Sequence, residues 1–262
     1  MLLAVDIGNT QIALGLFKMD QGKTVKGNVF SWRMKTDRDS TADEYGIKIL
    51  DLFHYASVES AAVKGLIIAS VVPPLDRPFH DMAKKYFKRD ALFIEPGVKT
   101  GINILYHSPS ELGADRIVNA VAAYDMVKGA AIVVDFGTAT TFDCITQKGE
   151  YLGGMIAPGI LMSSEALAEK TAKLPRVDVH APKSVIGKST VESMRAGIFY
   201  GYIGLVEEIV RQLKKEMGGT PKVLATGGLA SLMAPSTKCI KKVMPDMTLE
   251  GLRLIWDMNS NG

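Results

Sequence analysis

The chain has 262 residues, of which 47% are hydrophobic and 23% charged, the balance of a globular protein rather than a disordered or fibrous one. Its net charge of +3 is too small, and its basic residues are too scattered, to predict nucleic-acid binding. Two cysteines without CxxC spacing argue against disulfides and cysteine-rich zinc sites. Since no apolar run approaches the about 20 residues that span a bilayer, and the apolar start is too short for a signal peptide, we expect a cytoplasmic protein without membrane contacts.

Predicted strands and helices alternate along the chain, and the second half repeats the order of the first. The first half is predicted as strands Leu2–Ile7, Gln11–Phe17 and Val29–Lys35, helix Ala42–Tyr55, strand Val63–Val72, helix Leu75–Phe87, strand Ala91–Glu95 and helix Gly113–Val127. The second half is predicted as strands Ala130–Phe136, Ala139–Thr146 and Tyr151–Ile156, helices Ile160–Ala172 and Thr190–Met217, strand Lys222–Ala225 and helix Thr248–Met258.

This repeated plan predicts an α/β fold of two pseudo-symmetric lobes, each like ribonuclease H, around a central nucleotide cleft. We expect an N-terminal lobe over residues 1–112 and a C-terminal lobe over residues 113–262. The helix at 113–127 is assignable to either lobe. No low-complexity linker separates the two halves, so we expect the lobes to pack closely.

Two segments share the same order of residue types. Asp6-Ile7-Gly8-Asn9-Thr10 and Asp135-Phe136-Gly137-Thr138 each lie between two predicted strands. The pattern predicts a tight hairpin with a carboxylate at its mouth, in which glycine permits a positive φ and leaves room for an anion. Backbone N–H groups and the threonine hydroxyl would face phosphate oxygens, and the aspartate would hold a metal ion or its water. One match would be explained by an ordinary turn, but two equivalent matches predict a nucleoside triphosphate site.

Two other glycine-containing segments are candidates for nucleotide contacts. Thr226-Gly227-Gly228 follows a predicted strand, and its paired glycines would let an adenine ring lie against the backbone, although alone it predicts only a strand-to-helix turn. Gly187-Lys188-Ser189 resembles the end of a P-loop, but Pro182 stands where that motif needs its first glycine. Ser189 with Glu192 instead predicts a capping box at the start of the long helix.

Asp115 and Arg116 are predicted in the first turn of a helix that begins after Gly113. The carboxylate could orient a substrate hydroxyl and accept its proton, and the guanidinium could bind an acidic group with two hydrogen bonds. The alternative is an aspartate that complements the helix dipole beside a surface arginine. Spacing alone favours this alternative.

The order of hairpin, hairpin and glycine pair resembles the phosphate-1, phosphate-2 and adenosine motifs of the acetate kinase, sugar kinase, Hsp70 and actin superfamily. Together with Gly113–Arg116 and Tyr151–Gly159, these motifs resemble type III pantothenate kinase from Leu2 to Arg253. Gly113–Arg116 followed by Asp135–Asp143 is specific to that family. One departure is Gln11, where many members carry asparagine.

The resemblance implies an actin-like ATPase fold and phosphorylation of pantothenate by ATP to 4'-phosphopantothenate, the first step of coenzyme A biosynthesis. It implies that Asp115 accepts the proton, that Asp6 lies near Mg²⁺, and that Asp135 binds a monovalent cation, K⁺ or NH₄⁺. The implied ATP contacts are Asp6, Ile7, Gly8, Asn9, Thr10, Gln11, Ile12, Ala13, Thr138, Gly227 and Gly228. The implied pantothenate contacts are Tyr106, Gly113, Ala114, Asp115, Arg116 and Thr190. Family members are homodimers whose active site is completed at the interface, which makes a homodimer the expected assembly.

Two alternatives remain at this stage. One is another small-molecule kinase of the same superfamily, such as a sugar or acetate kinase. The other is a nucleotide-binding regulator without turnover, which the presence of both Asp6 and Asp115 disfavours.

Overall fold

The structure, a computed structural model, describes residues 1–260. It contains two compact units. The first comprises Met1–Ile102, His107–Ala122 and the chain from Asp246 onward; the second comprises Asn103–Tyr106 and Ala123–Pro245. This division is more interleaved than a single boundary after residue 112, because the end of the chain belongs with its beginning. None of the helices in residues 1–260 is long and apolar enough to cross a membrane.

The first unit is built on a mixed five-stranded sheet. In chain order its elements are β1 (Leu2–Ile7), β2 (Gln11–Phe17), the short hairpin β3 (Met19–Asp20) and β4 (Lys23–Thr24), β5 (Phe30–Lys35), α1 (Ala42–Tyr55), β6 (Gly65–Ser70), α2 (Asp76–Met82) and β7 (Ala91–Phe93). The strand order is β5-β2-β1-β6-β7. β1 runs antiparallel to β2 and parallel to β6.

Both faces of this sheet are covered, because alternate residues of β1 point to opposite sides. Leu3 and Val5 belong to a core that includes Tyr45 of α1 and Phe79 of α2. Leu2 and Ala4 face a second core. The sequence of α1 explains its start, since Thr41 and Glu44 form a reciprocal capping box.

The last helix of the chain, α7 (Met247–Asn259), packs in that second core through Leu249, Leu252 and Ile255. A Cβ at Gly251 would overlap the backbone carbonyl of Val118, so glycine permits the close contact. The buried Arg253 donates to Glu250 at 2.7 Å and to Thr24 Oγ1 at 3.0 Å. These contacts connect α7 to residues from the start of the chain and explain its place in the first unit.

The second unit repeats the sheet of the first. Its elements are β8 (Asn103–Ile104), β9 (Ala131–Phe136), β10 (Ala139–Ile145), β11 (Glu150–Pro158), α4 (Ile160–Glu169), α5 (Thr190–Met217), β12 (Lys222–Thr226), α6 (Ala230–Met233) and β13 (Lys242–Val243), and α3 (Ala114–Val127) is divided between the units. The strand order is β13-β12-β9-β10-β11-β8. If β8 is left out and the strands of each sheet are numbered along the chain, both sheets have the spatial order 3-2-1-4-5, the second being read from β11 to β13.

The core of the second unit forms between this sheet and α5. Ile132 and Val134 of β9 pack in one cluster with Phe199, Tyr202 and Val206 of α5. The start of α5 follows the predicted cap in part. The Ser189 hydroxyl accepts the Glu192 N–H at 3.3 Å, but the Glu192 carboxylate accepts the N–H of Lys188 rather than that of Ser189. Gly187-Lys188-Ser189 therefore contributes to a helix cap.

The predicted α/β class is confirmed, and α1 and α5 have the predicted bounds. The predicted helix Leu75–Phe87 is instead a 3₁₀ turn at Pro73–Leu75, then α2, then a π turn at Ala83–Phe87. The helix expected to reach Ala172 ends at Glu169. The two-residue strands and α6 were not assigned bounds from the sequence, because segments of two to four residues carry too little periodicity.

Candidate active site

The first acidic segment forms the predicted hairpin. Asp6 is the penultimate residue of β1 and pairs with Ala13 of β2 and Ala69 of β6. The Gly8 N–H donates to the carbonyl oxygen of Gln11 at 3.1 Å, and a Cβ at Gly8 would lie 3.0 Å from that oxygen. This close backbone approach favours glycine at the position. The expectation of a positive φ is wrong at Gly8 and also at Gly137 in the second hairpin.

The backbone carbonyls around this loop are occupied by partners inside the first unit. Thr36, which follows β5, donates its hydroxyl to Gly8 O at 2.6 Å and its N–H to Thr10 O at 3.1 Å. Val71 donates its N–H to Ile7 O at 3.0 Å. Because these three carbonyls are paired within the protein, they do not compete with the loop N–H groups for an anion.

The segment before α3 lies at the same edge of the first sheet. Val71 follows the carboxyl end of β6, beside the end of β1, and its Cγ1 lies 3.6 Å from where a Cβ at Gly113 would be. Ala114 packs in the core that contains Ala69 of β6. The structure therefore brings two predicted segments, Asp6–Ala13 and Gly113–Arg116, to one edge of one unit.

Asp115 is held in a defined orientation at this edge. Its Oδ1 accepts the Arg116 N–H at 2.8 Å, and a Cβ at Gly113 would lie 2.5 Å from the same oxygen. The residue is half-buried, and Arg116 is buried. Burial raises the pKa of the Asp115 carboxyl, and this effect exceeds the lowering of the pKa by the N–H and the guanidinium of Arg116. A carboxylate with a raised pKa is a better proton acceptor.

The second hairpin lies beside the predicted adenosine segment within the second unit. Asp135, the penultimate residue of β9, pairs with Thr141 of β10 and Thr226 of β12. Gly227 has φ +91, and a Cβ there would overlap the Asp135 carboxylate. Glycine at this position therefore has a conformational reason, since other residues rarely adopt this φ; its contact with adenine stays a prediction. A Cβ at Gly228 would meet no atom within 4 Å, which leaves space on its outer side.

The tip of the second hairpin is also held by α4. A Cβ at Gly159, the residue that precedes α4, would overlap the carbonyl oxygen of Thr138. Thr138 is therefore held at a fixed distance from the helix start. From the sequence, Gly159 was expected only as part of the family resemblance, without a structural role.

Tyr106 follows β8 in the second unit and lies over β11. Its ring centroid is 6.2 Å from that of Tyr151, in an edge-on arrangement, and a Cβ at Gly153 would lie 3.6 Å from the ring. Tyr151 donates its hydroxyl to the buried Asp143 carboxylate at 2.7 Å. The sequence analysis did not identify this buried pair, since nothing local distinguishes a core carboxylate from an exposed one.

Thr190 is exposed in the first turn of α5. Over residues 1–260, no hydrogen bond connects it to another predicted site residue. Within residues 1–260, no three histidine, cysteine, aspartate or glutamate side chains are grouped so that they could bind a metal ion.

Thr36 and Arg38 border the first hairpin and were absent from the sequence-based site. A signal for them existed, since the third strand of a meander ends beside the turn that joins the first two. Lys35, the last residue of β5, pairs with Gln11, the first residue of β2. The residues after Lys35 must therefore pass the Gly8–Thr10 loop.

Comparisons with known proteins show the family and the fold of the chain. A family model described as type III pantothenate kinase matches residues 2–212. The type III pantothenate kinase of Koribacter versatilis is 49% identical over 265 residues, with 100% of this chain and 97% of the relative covered. That of Moorella thermoacetica is 51% identical over 260 residues, with 99% and 100% covered. A solved structure of a putative 2-dehydro-3-deoxygalactonokinase from Sinorhizobium meliloti matches with a TM-score of 0.56 at 14% identity, covering 98% of this chain and 99% of that chain.

The repeated sheets and the structural match define the fold of the actin-like ATPases and sugar kinases, and the protein is a phosphotransferase of this fold. The chain belongs to the type III pantothenate kinase family. The enzyme phosphorylates pantothenate with ATP in coenzyme A biosynthesis.

The raised pKa of Asp115 predicts a pH-dependent cost in stability. The native state binds the Asp115 proton more tightly than the unfolded state, in which the pKa is near 3.8. The free energy of unfolding therefore decreases as the pH rises from the unfolded pKa to the folded pKa, and this decrease is complete above the folded pKa. We expect Asp115→Asn, which keeps an oxygen for the Arg116 N–H, to increase the free energy of unfolding near pH 7.

Urea denaturation at several pH values checks this prediction. The increase in the free energy of unfolding that Asp115→Asn gives should become smaller as the pH is lowered toward about pH 4. Asp51→Asn, at an exposed position of α1, is the matched control and should show no such trend. A variant at Asp115 that is less stable than the wild type near pH 7 would contradict the prediction.

Proposed function

We propose that the edge of the first unit, where Asp115 lies near the Gly8–Thr10 loop, carries out the proton transfer and phosphate binding of the pantothenate kinase reaction. The observation that supports this most directly is the Asp115 carboxylate, which is kept in one orientation by Gly113 and the Arg116 N–H and has a raised pKa. Oδ1 is engaged by the backbone, so the second oxygen receives the substrate hydroxyl.

In the reaction, the hydroxyl oxygen of pantothenate attacks the γ-phosphorus of ATP, and the bond from that phosphorus to the ADP oxygen breaks. The hydroxyl proton passes to Asp115. Because the transition state of phosphoryl transfer is loose, alignment and charge neutralisation matter more than a strong base. Asp115 aligns the hydroxyl and takes its proton late, and Arg116 with Gly113 and Ala114 binds pantothenate, together with Tyr106 and Thr190.

The residues Asp6–Ala13, Thr138, Gly227 and Gly228 bind ATP in this proposal. Asp6 suits Mg²⁺, because its cross-strand neighbours Ala13 and Ala69 leave room for the waters that this ion retains. Asp135 suits a monovalent cation, K⁺ or NH₄⁺, because the hydroxyl-bearing Thr141 and Thr226 flank it. When bound, both ions neutralise charge on phosphate oxygens. The cytoplasmic location stays a prediction.

A coupled assay of ADP release tests the function and the cation together. We expect release that depends on pantothenate, and higher turnover in potassium or ammonium than in sodium at equal ionic strength. Hexoses and acetate serve as control acceptors. Equal rates in sodium and potassium would contradict the role of the monovalent cation. A protein that releases no ADP with pantothenate, potassium and Mg²⁺ present would favour the regulator alternative.

Asp115→Asn tests the proton acceptor. General-base assistance contributes about 10²- to 10⁴-fold, so we expect turnover to fall by about that factor while the KM for ATP changes little. Asp51→Asn is again the control. Turnover of the variant within a few-fold of the wild type would exclude Asp115 as the base.

The expected assembly is a homodimer formed through the second unit. A groove of about 480 Å³ between α4 and α5 is lined by apolar side chains, among them Leu167, Met194 and Leu205, and by Gly197 and Gly201. A Cβ at either glycine would meet no atom within 4 Å. Nearby apolar side chains are exposed, namely Ile156, Leu161 and Met162. An apolar surface of this kind is typical of a protein interface.

Sedimentation velocity measures the assembly. We expect a species of twice the 28.3 kDa chain mass. Gly201→Lys places a charge in the groove. We expect the variant to sediment mainly as monomer, and we expect the thermal unfolding midpoint of that monomer not to be lowered. A wild-type protein that sediments only as monomer at micromolar concentration would contradict the homodimer.

A further inference from the structure

The segment Thr36–Ser40, between β5 and α1, is rigidly attached beside the first hairpin. Thr36 bonds to two carbonyls of the Gly8–Thr10 loop, as described above. Asp37 accepts the Ser40 hydroxyl at 2.8 Å and the Asp39 N–H at 3.2 Å. The Tyr45 hydroxyl donates to Asp37 O at 2.7 Å. A side chain carried by this segment therefore has a fixed starting point relative to the loop.

Arg38 projects from this segment to the loop. Its Nη2 donates to the Asn9 side-chain oxygen at 2.8 Å, and the side chain is exposed. In the part of the chain that the structure describes, Arg38 forms no ion pair with a carboxylate. A guanidinium has five N–H donors, and the contact with Asn9 uses one of them.

The other basic residues close to this segment are engaged elsewhere. The pKa of Asp37 is lowered mainly by the hydrogen bond from Ser40 and further by the charges of Lys48 and Lys35. Lys48 also donates to the Ser40 hydroxyl at 3.4 Å. The charges of both lysines act on Asp37, and Arg38 is the basic residue within Thr36–Ser40 whose side chain donates to the Gly8–Thr10 loop.

We propose that Arg38 binds the phosphate oxygens of the nucleotide at the first hairpin, an inference that rests on the proposed function of that hairpin. Asn9 is a neutral partner, and a hydrogen bond from a guanidinium to a phosphate is roughly twice as strong as one between neutral groups. Arg38 therefore gains by turning from Asn9 to an incoming triphosphate. The exchange also releases the Asn9 side chain for the same anion.

Arg38→Gln tests this role by a separation of the two Michaelis constants. Hydrogen bonds to charged groups contribute about 1.5–3 kcal/mol, so we expect the KM for ATP, and the Kd of ATP in equilibrium dialysis, to rise roughly 10- to 100-fold. The KM for pantothenate should change less than about twofold, a margin of roughly 0.4 kcal/mol. Arg38→Lys keeps the charge and should recover part of the affinity.

Arg77→Gln is the matched control, since Arg77 is an exposed arginine of the same unit on α2. It should leave both constants unchanged. The inference would be overturned if Arg38→Gln raised both Michaelis constants equally, or if a lowered melting temperature accounted for the loss of ATP affinity. Either result would indicate a structural role for Arg38. An unchanged affinity for ATP in an active Arg38→Gln enzyme would overturn it while leaving the proposed function intact. A wild-type chain that binds no ATP would overturn both.

Discussion

In the proposed function the first hairpin receives an anion, and three of its carbonyl acceptors are already paired within the protein. A loop that joins two strands exposes carbonyl oxygens, which repel phosphate, as well as N–H groups, which attract it. Here Thr36 takes the carbonyls of Gly8 and Thr10, and Val71 takes that of Ile7. The close approach of Gly8 to the carbonyl oxygen of Gln11 closes the turn. In the proposed function, binding of a polyanion at this loop therefore depends on Thr36, which follows β5, as well as on the loop itself.

The same sheet edge contains Asp115, a carboxylate that is partly withdrawn from water. Burial raises the pKa of Asp115, so the charged form is disfavoured in the folded protein at neutral pH. Gly113 allows this arrangement, because any side chain there would overlap the carboxylate. Sites that retain such a cost are frequently functional, and the cost here is matched by better proton affinity. The conservative explanation, an aspartate that complements a helix dipole, does not account for the raised pKa, since the dipole would lower it.

The parts of the fold that were predictable are those marked by residues close together in sequence, such as helix caps. The bounds of α1 and α5 agree with the prediction because Thr41 and Ser189 cap them within a few residues of sequence. The place of α7 was not predictable, because its partners Thr24 and Val118 are remote in sequence. Within the site, the residue types of both hairpins were evident, and the family resemblance supplied the importance of Asp115. The order of the first three strands indicates that the residues after β5 pass this hairpin, but the individual contacts of Thr36 and Arg38 depend on strand register, which the sequence pattern did not specify.

The two units repeat one sheet, yet their acidic hairpins have different surroundings. Asp6 and Asp135 are both penultimate residues of a first strand, but alanines flank the former and threonines the latter. The loops differ too, since Ile7 pairs with Ile12 whereas Phe136 pairs with Thr140. A carboxylate between methyl groups suits an ion that keeps its water, such as magnesium. A carboxylate between hydroxyls suits a weakly hydrated ion such as potassium, which exchanges water for protein oxygens. Duplication thus accounts for the shared backbone, and the side chains beside each aspartate account for two distinct proposed cations.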